Sequence, residues 1–174
     1  MAGPRVASVF GSATLRPGDP EYASALRLGR LLAGAGWTVM TGGYDGAMAA
    51  VSQGAREAGA DVIGITVEAW RHRLQANRWV TEERPAPDLP SRLATLVRAD
   101  ALLAVGGGVG TLSEVALAWH LRLRGEDLAR PLVVIGERWR RLVATLVREL
   151  GLTPADAGCV RLAGGPDDAV AMIG

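Results

Sequence analysis

No lysine occurs anywhere in the 174 residues, and all 19 basic side chains are arginine. That absence removes whole classes of chemistry. An internal Schiff base to pyridoxal phosphate needs a lysine amine, and so does a Walker-type phosphate loop. Histidine is nearly as scarce. His72 and His120 lie far apart and neither belongs to a ligand-spaced cluster, so metal chemistry is poorly supplied. His120, beside Trp119 in a helical stretch, reads as a surface or interface residue. The one cysteine, Cys159, cannot close an intramolecular disulfide, and its place in the apolar run 159–162 reads as core rather than nucleophile. Long apolar segments are missing as well: none approaches the roughly 18 to 20 residues that cross a bilayer. The start MAGPRVASVFGS lacks a signal peptide's basic start and long apolar core. A net charge of +1 is too small to suggest a nucleic-acid or membrane surface. The expectation is a soluble cytoplasmic protein. A hydrophobic content of 49% supports one globular domain over residues 1–174, long enough for a substantial core.

What is present is organised around the stretch ALLAVGGGVGTLSEVALAW at 101–119. A short apolar run leads into Gly106, Gly107, Gly108 and Gly110. From Thr111 onward Leu112, Val115, Ala116, Trp119 and Leu123 recur at helical spacing, giving strand, glycine turn, helix. Glycines let the backbone approach a ligand closely, and the free N–H groups and dipole of a helix's first turn favour an anion such as a phosphate. Glu114 follows about one turn in, which places a carboxylate beside whatever a bound phosphate carries. Two plainer readings stand next to these: such turns also serve tight packing, and a Glu early in a helix is favoured by the dipole alone.

The remaining chain predicts more units of the same kind. Residues 5–10 form a strand, followed by a helix with Tyr22, Leu26, Gly29, Leu32 and Ala33 on one face and Gly34 and Gly36 at its end. A second strand at 37–40 runs into TGGYDG, and a helix over 47–58 carries Met48, Val51, Ala55 and Ala58 before Gly59. A third strand covers 61–67. Repeated strand, turn and helix with short connections mean a parallel sheet with helices on both faces, an α/β Rossmann-like doubly wound fold. The TGGYDG turn has Thr41 where a dinucleotide fingerprint has its first glycine, so neither turn carries the full GxGxxG pattern. The two turns still converge on one crevice if their strands flank a topological switch point.

Residues 68–92 have the least periodicity and carry Trp70, Arg71, His72, Arg73, Arg78 and Trp79, then Pro85, Pro87 and Pro90. This segment is either a lid or binding loop, or a solvated charged face anchored by its tryptophans. Ser91 reads as the N-cap of a helix bearing Leu93, Leu96 and Val97, with Arg92 in the first turn, where a cation opposes the dipole. Beyond the central helix, Gly125 is a stop and residues 131–136 a strand. Trp139, Leu142, Val143, Leu146 and Leu150 mark a helix, 159–162 a last strand, and Pro166, Asp167 and Asp168 open a helix over 169–173. No linker and no solenoid-type repeat divides the chain.

The runs VFGSATLRPGDPEY, TGGYDGAMAAVSQGAREAGADVIGIT and RADALLAVGGGVGTLSE resemble, in the same order, the LOG ("Lonely Guy") family, long labelled lysine decarboxylases. The resemblance implies a Rossmann-like sheet, a homodimer or higher homo-oligomer, and phosphoribohydrolase activity on nucleoside 5′-monophosphates. It implies that Gly107, Gly108, Gly110 and Thr111 hold the 5′-phosphate and that Glu114 is the catalytic carboxylate. Gly42, Gly43, Gly46 and Met48 match the family's other turn, and Ser12 the small polar residue after the first strand. Where the family has its catalytic arginine in an Arg-Lys pair this chain has Ser91-Arg92, so either Arg92 serves with a one-residue shift or the arginine is missing. Gly106 replaces the proline of cytokinin-activating members. Both departures point to a divergent branch, some of whose relatives look like nucleotide-type carriers.

The leading expectation is hydrolysis of the N-glycosidic bond of a purine nucleoside 5′-monophosphate such as AMP, giving free base and ribose 5-phosphate. Glu114 would stabilise the oxocarbenium-like transition state and orient the attacking water, and Arg92 would balance charge on phosphate or sugar. No metal or organic cofactor is needed. The rival is a non-catalytic protein that holds a nucleotide, or a phosphorylated pterin-like ligand of the molybdenum-cofactor kind, without turning it over. A lysine-free chain excludes the decarboxylase reading. The oligomer rests on the resemblance, with slight support from five tryptophans and the apolar face around Trp119.

Overall fold

A computed structural model describes residues 3–126 and 130–174. Seven parallel strands form one sheet in the order β4-β3-β2-β1-β5-β6-β7. They are β1 (Val6–Gly11), β2 (Thr38–Thr41), β3 (Val62–Val67), β4 (Glu82–Ala86), β5 (Ala101–Val105), β6 (Leu132–Ile135) and β7 (Arg161–Ala163). The chain lays β2, β3 and β4 outward on one side of β1, then returns to place β5 on the other. The strand order therefore reverses between β1 and β5, which pair in register with Ala7 opposite Ala101 and Gly11 opposite Val105. The two glycine-rich turns leave the carboxyl ends of β2 and β5, on either side of β1, where open α/β sheets bind ligands.

Alternation along the strands divides the core. On one face Val9, Leu103 and Val133 pack against α1 (Pro20–Gly34), α2 (Ala47–Glu57) and α7 (Pro166–Ala171). On the other, Phe10, Leu102 and Val134 meet α3 (Leu89–Leu96), α4 (Val109–Leu123) and α5 (Glu137–Glu149). Leu28, Leu32, Leu96 and Leu103 are fully buried. The helix stops follow backbone need: Gly59 and Gly125 take φ of +88° and +76°, which costs least in a residue without Cβ.

The helices α1 and α2 touch through their backbones. A Cβ on Gly54 would fall inside the contact radius of Leu26 O, and one on Gly29 inside that of Val51 O. Alanine would be the better helix former by about 1 kcal/mol, but neither carbonyl can yield without separating the helices. Gly54→Ala is therefore expected to destabilise the fold by about 2 to 3 kcal/mol, read as a lowered denaturant midpoint.

Several boundaries differ from the sequence reading. Segment 68–92, read as aperiodic, contains a single 3-10 turn at Glu68–Trp70 and the edge strand β4, paired to β3 with Ile63 opposite Glu82 and Val67 opposite Ala86. Four of the five β4 residues are exposed, so it shows no apolar alternation, and an edge tolerates Pro85 and charge. The N-cap of α3 is Asp88, whose carboxylate accepts from Ser91 N at 2.8 Å, so Ser91 is a helical residue and Arg92 stands a full turn in. Helix α4 begins at Val109 with Gly108 as its cap, two residues before Thr111. The short helix α6 (Pro154–Ala157), closed by a Thr153/Asp156 capping box, was not anticipated. The final strand is displaced from 159–162 to Arg161–Ala163, and the final helix ends at Ala171. Trp119 is 6% exposed and donates Nε1–H to Asp156 O at 2.8 Å, so it belongs to the chain's own core and lends no support to an interface. His120 is exposed, and Cys159 is half-buried with Sγ 3.7 Å from Ala155 O. Among the described residues no helix is long and apolar enough to cross a membrane.

Candidate functional site

At the carboxyl end of the sheet lies a cleft of about 510 Å³ bordered by the turns after β1, β2 and β5 and by α3. The turn after β1 supplies Ser12 and Thr14, whose hydroxyls lie 2.8 Å apart, with Thr14 N donating to Ser12 Oγ. The turn after β5 supplies Gly108, Gly110, Thr111, Ser113 and Glu114, the first turns of α4. Thr111 is 2% exposed and its hydroxyl has no hydrogen-bond partner. A buried orphan hydroxyl at a helix N-terminus, beside backbone N–H groups with no intrahelical acceptor, is a constellation that an anion would satisfy.

Glu114 and Arg92 face each other across the floor. They come from α4 and α3, both are 6% exposed, and Arg92 Nη1 stands 3.7 Å from Glu114 Oε1 without a hydrogen bond between them. The guanidinium is held from three sides. Nε donates to Ile65 O at 2.7 Å, Nη2 lies 3.8 Å from Met48 Sδ, and Cζ is 5.6 Å from the Tyr44 ring centroid. Burial pushes the Glu114 carboxyl up to about 7, with the Arg92 charge opposing the rise. Burial likewise lowers the Arg92 pKa against the pull of Glu114, but a guanidinium stays charged at any physiological pH. An acid that exchanges its proton near neutrality beside a fixed cation suits general acid/base work.

Of the residues singled out in the sequence, Glu114, Arg92, Thr111, Gly108, Gly110, Met48 and Ser12 all border this one cleft. Arg92 stands beside Glu114 in it. Gly107 does not reach it. Together with Gly106 (φ +63°) it turns toward Trp139, whose Nε1–H donates to Gly106 O at 2.6 Å, and borders a separate apolar hollow behind the turn. Gly42, Gly43 and Gly46 do not line the cleft either. Gly42 leaves room for the Arg92 guanidinium, Gly43 O accepts from Asn77 N at 2.7 Å, and Gly46 lies against Ser12 O, which accepts from Ala47 N at 2.8 Å. The second glycine turn thus contributes close packing rather than a backbone cradle, and what it shows the cleft is Tyr44, Asp45 and Met48. Tyr44, Trp70, Leu89 and Leu93 were missed. Tyr44 sits inside a motif read for its glycines, Trp70 and Leu89 fall in the segment without periodicity, and Leu93 reads as one of the core-facing residues of its helix.

An uncharacterised protein of Archaeoglobus fulgidus is 34% identical over 122 residues, 69% of this chain and 78% of its own length. The cytokinin riboside 5′-monophosphate phosphoribohydrolase of Mycobacterium tuberculosis is 35% identical over 107 residues, 58% of this chain, and the match spans 57% of that relative's length. Among solved structures, the molybdenum cofactor binding protein of Rippkaea orientalis superposes with a TM-score of 0.79 at 27% identity, covering 99% of this chain and 97% of that one. The model of the SLOG cluster4 family matches residues 4–124, a span holding both glycine turns, Arg92 and Glu114, and the chain belongs to that LOG-like family.

Proposed function

We propose that the cleft binds a nucleoside 5′-monophosphate and hydrolyses its N-glycosidic bond. The observation that carries this is the buried Arg92–Glu114 pair in the same cleft as the orphan Thr111 hydroxyl. A phosphate taken up by Thr111, Ser12 and the α4 amides leaves the attached sugar within reach of Glu114. As the C1′–N bond breaks, positive charge grows on the ribose, and an ionised Glu114 stabilises it while orienting water for attack at C1′. The base leaves with a proton, and water's oxygen becomes the anomeric hydroxyl of ribose 5-phosphate. Arg92 offsets the negative charge that Glu114 and the phosphate bring together. The phosphoribohydrolase names of aligned relatives support an enzyme of this general kind.

A second reading has its own support. Solved structures that match nearly the whole chain include molybdenum cofactor binding and carrier proteins, whereas the phosphoribohydrolase of Mycobacterium tuberculosis is matched over little more than half its length. In that reading the cleft holds a phosphorylated ligand intact. Incubation with AMP and an N6-substituted AMP, followed by separation of products, decides between them: free base and ribose 5-phosphate are expected, and tight binding with no release from either nucleotide favours the carrier. The pH profile adds a second check. Because the reactive form of Glu114 is the carboxylate, kcat/KM is expected to rise through about pH 7 and level off above it. The bound phosphate is a like charge that raises Glu114 further, so the midpoint for kcat should lie at higher pH than that for kcat/KM.

A further inference from the structure

The two halves of the cleft differ in kind, and the sheet order sets the division. Elements following β1 and β5 supply the hydroxyls, the amides and Glu114. Those following β2, β3 and β4 supply Tyr44, Trp70, Leu74, Leu89 and Leu93. From β5 to β3 is three strand spacings, about 14 Å, comparable to the length of a nucleotide laid phosphate to base. The Tyr44 and Trp70 rings lie 6.1 Å apart at 37°, and Val67 N donates to the Tyr44 hydroxyl at 2.8 Å, so the tyrosine shows its ring while its polar end is engaged. Leu74 and Leu89 are each 40% exposed, apolar surface left open to water at the rim. Among the described residues no carboxamide lines the cleft, and besides Arg92 and the engaged Tyr44 hydroxyl the polar side-chain groups of this half are the exposed Asp45 carboxylate and the single indole N–H of Trp70.

We propose that this wall is a stacking subsite for a flat heteroaromatic ring, with Trp70 its main specificity determinant, and that it reads the ring by shape and apolar area instead of by hydrogen bonds to its edge. This rests on the phosphate-binding reading of the opposite half. The consequence is a site that discriminates poorly between adenine and guanine and accepts apolar substituents on the ring, because a π-face is common to all bases while an edge code needs placed donors and acceptors.

Calorimetric titration of the full chain, in a Glu114→Gln background to stop turnover, tests this with ribose 5-phosphate, AMP, GMP and N6-benzyl-AMP. All three nucleotides are expected to bind more tightly than ribose 5-phosphate, with AMP and GMP within about threefold of each other. Trp70→Ala should weaken every nucleotide by about tenfold or more and leave ribose 5-phosphate unchanged, and Trp70→Phe should restore most of the loss. A preference between AMP and GMP of about 30-fold or more overturns the proposal, since it demands an edge code. So does an equal loss of ribose 5-phosphate in Trp70→Ala, which would make Trp70 a support for its segment only. Ribose 5-phosphate binding without any gain from a ring rejects the stacking wall alone, whereas failure of ribose 5-phosphate and all nucleotides to bind rejects the phosphate site with it.

Discussion

Glu114→Gln is expected to lower kcat by about 10³-fold and, at the same time, to make the protein more stable at pH 8 but not at pH 5. The two effects share one cause. In the folded chain the carboxyl holds its proton up to about pH 7, against an ordinary value of 4.5. Between those values the folded state binds more protons than the unfolded state, so stability falls as pH rises through the window. Above it the native protein carries the full cost of a buried charge, on the order of 3 kcal/mol. Glutamine keeps the shape and drops that cost. At pH 5 the native Glu114 is itself neutral, so Arg92 faces an uncharged neighbour in both proteins and their melting temperatures should nearly coincide. At pH 8 the variant should melt several degrees higher, at about 2–4 °C per kcal/mol for a chain of this size. Melting curves at the two pH values read the burial, and a base-release assay reads the chemistry. A variant that retains turnover would remove Glu114 from the catalytic role, and equal melting differences at both pH values would mean that the carboxyl is not held protonated by burial.

How much of this was open to a reader of the sequence depends on what each residue signals locally. The strands β1, β2, β3, β5 and β6 were legible because strands buried on both faces are apolar runs, and the stops at Gly36, Gly59 and Gly125 take positive φ. Strand β4 was not, since EERPA at a sheet edge is written to avoid pairing and so carries no apolar pattern. Ser91 reads as a cap in the sequence, but Asp88, three residues earlier and an equally good cap, takes that place, and only the fold chooses between them. In the site, Glu114 and Thr111 were legible through the turn that carries them. Arg92 was legible as a misfit, a cation in an early helical turn, and its partner proved to be a carboxylate on another helix. The glycines misled in a specific way. A glycine declares that a Cβ cannot be tolerated, but Gly108 borders the cleft while Gly42, Gly46 and Gly107 face protein, and sequence does not say on which side the obstacle lies.

Gly42 therefore supplies the second large effect, through a residue that never enters the cleft. Its backbone takes no positive φ, so alanine is conformationally allowed there. The new Cβ, however, would overlap Arg92 Nη2 and come within 2.9 Å of Arg92 Cζ and 2.7 Å of Met48 Sδ. Both obstacles are ends of flexible side chains, so the turn should hold and the guanidinium should move. Displaced, Arg92 loses its bond to Ile65 O, and Glu114 loses the charge that opposes its upward shift, so less of it is ionised at neutral pH. Gly42→Ala is expected to cut kcat/KM by about 10²-fold or more and to move the pH midpoint to the alkaline side, with a stability loss of about 1 to 2 kcal/mol. Gly46→Ala is the contrast. Its φ is +70° and the obstacle is the Ser12 backbone carbonyl, which cannot rotate away, so that variant should fail mainly by destabilisation. A double-mutant cycle completes the argument: if Gly42 acts through the guanidinium, adding Gly42→Ala to Arg92→Ala should cost little further activity. Additive losses would mean that Gly42 serves the site by some other route, and an unmoved pH midpoint would mean that Arg92 does not tune Glu114.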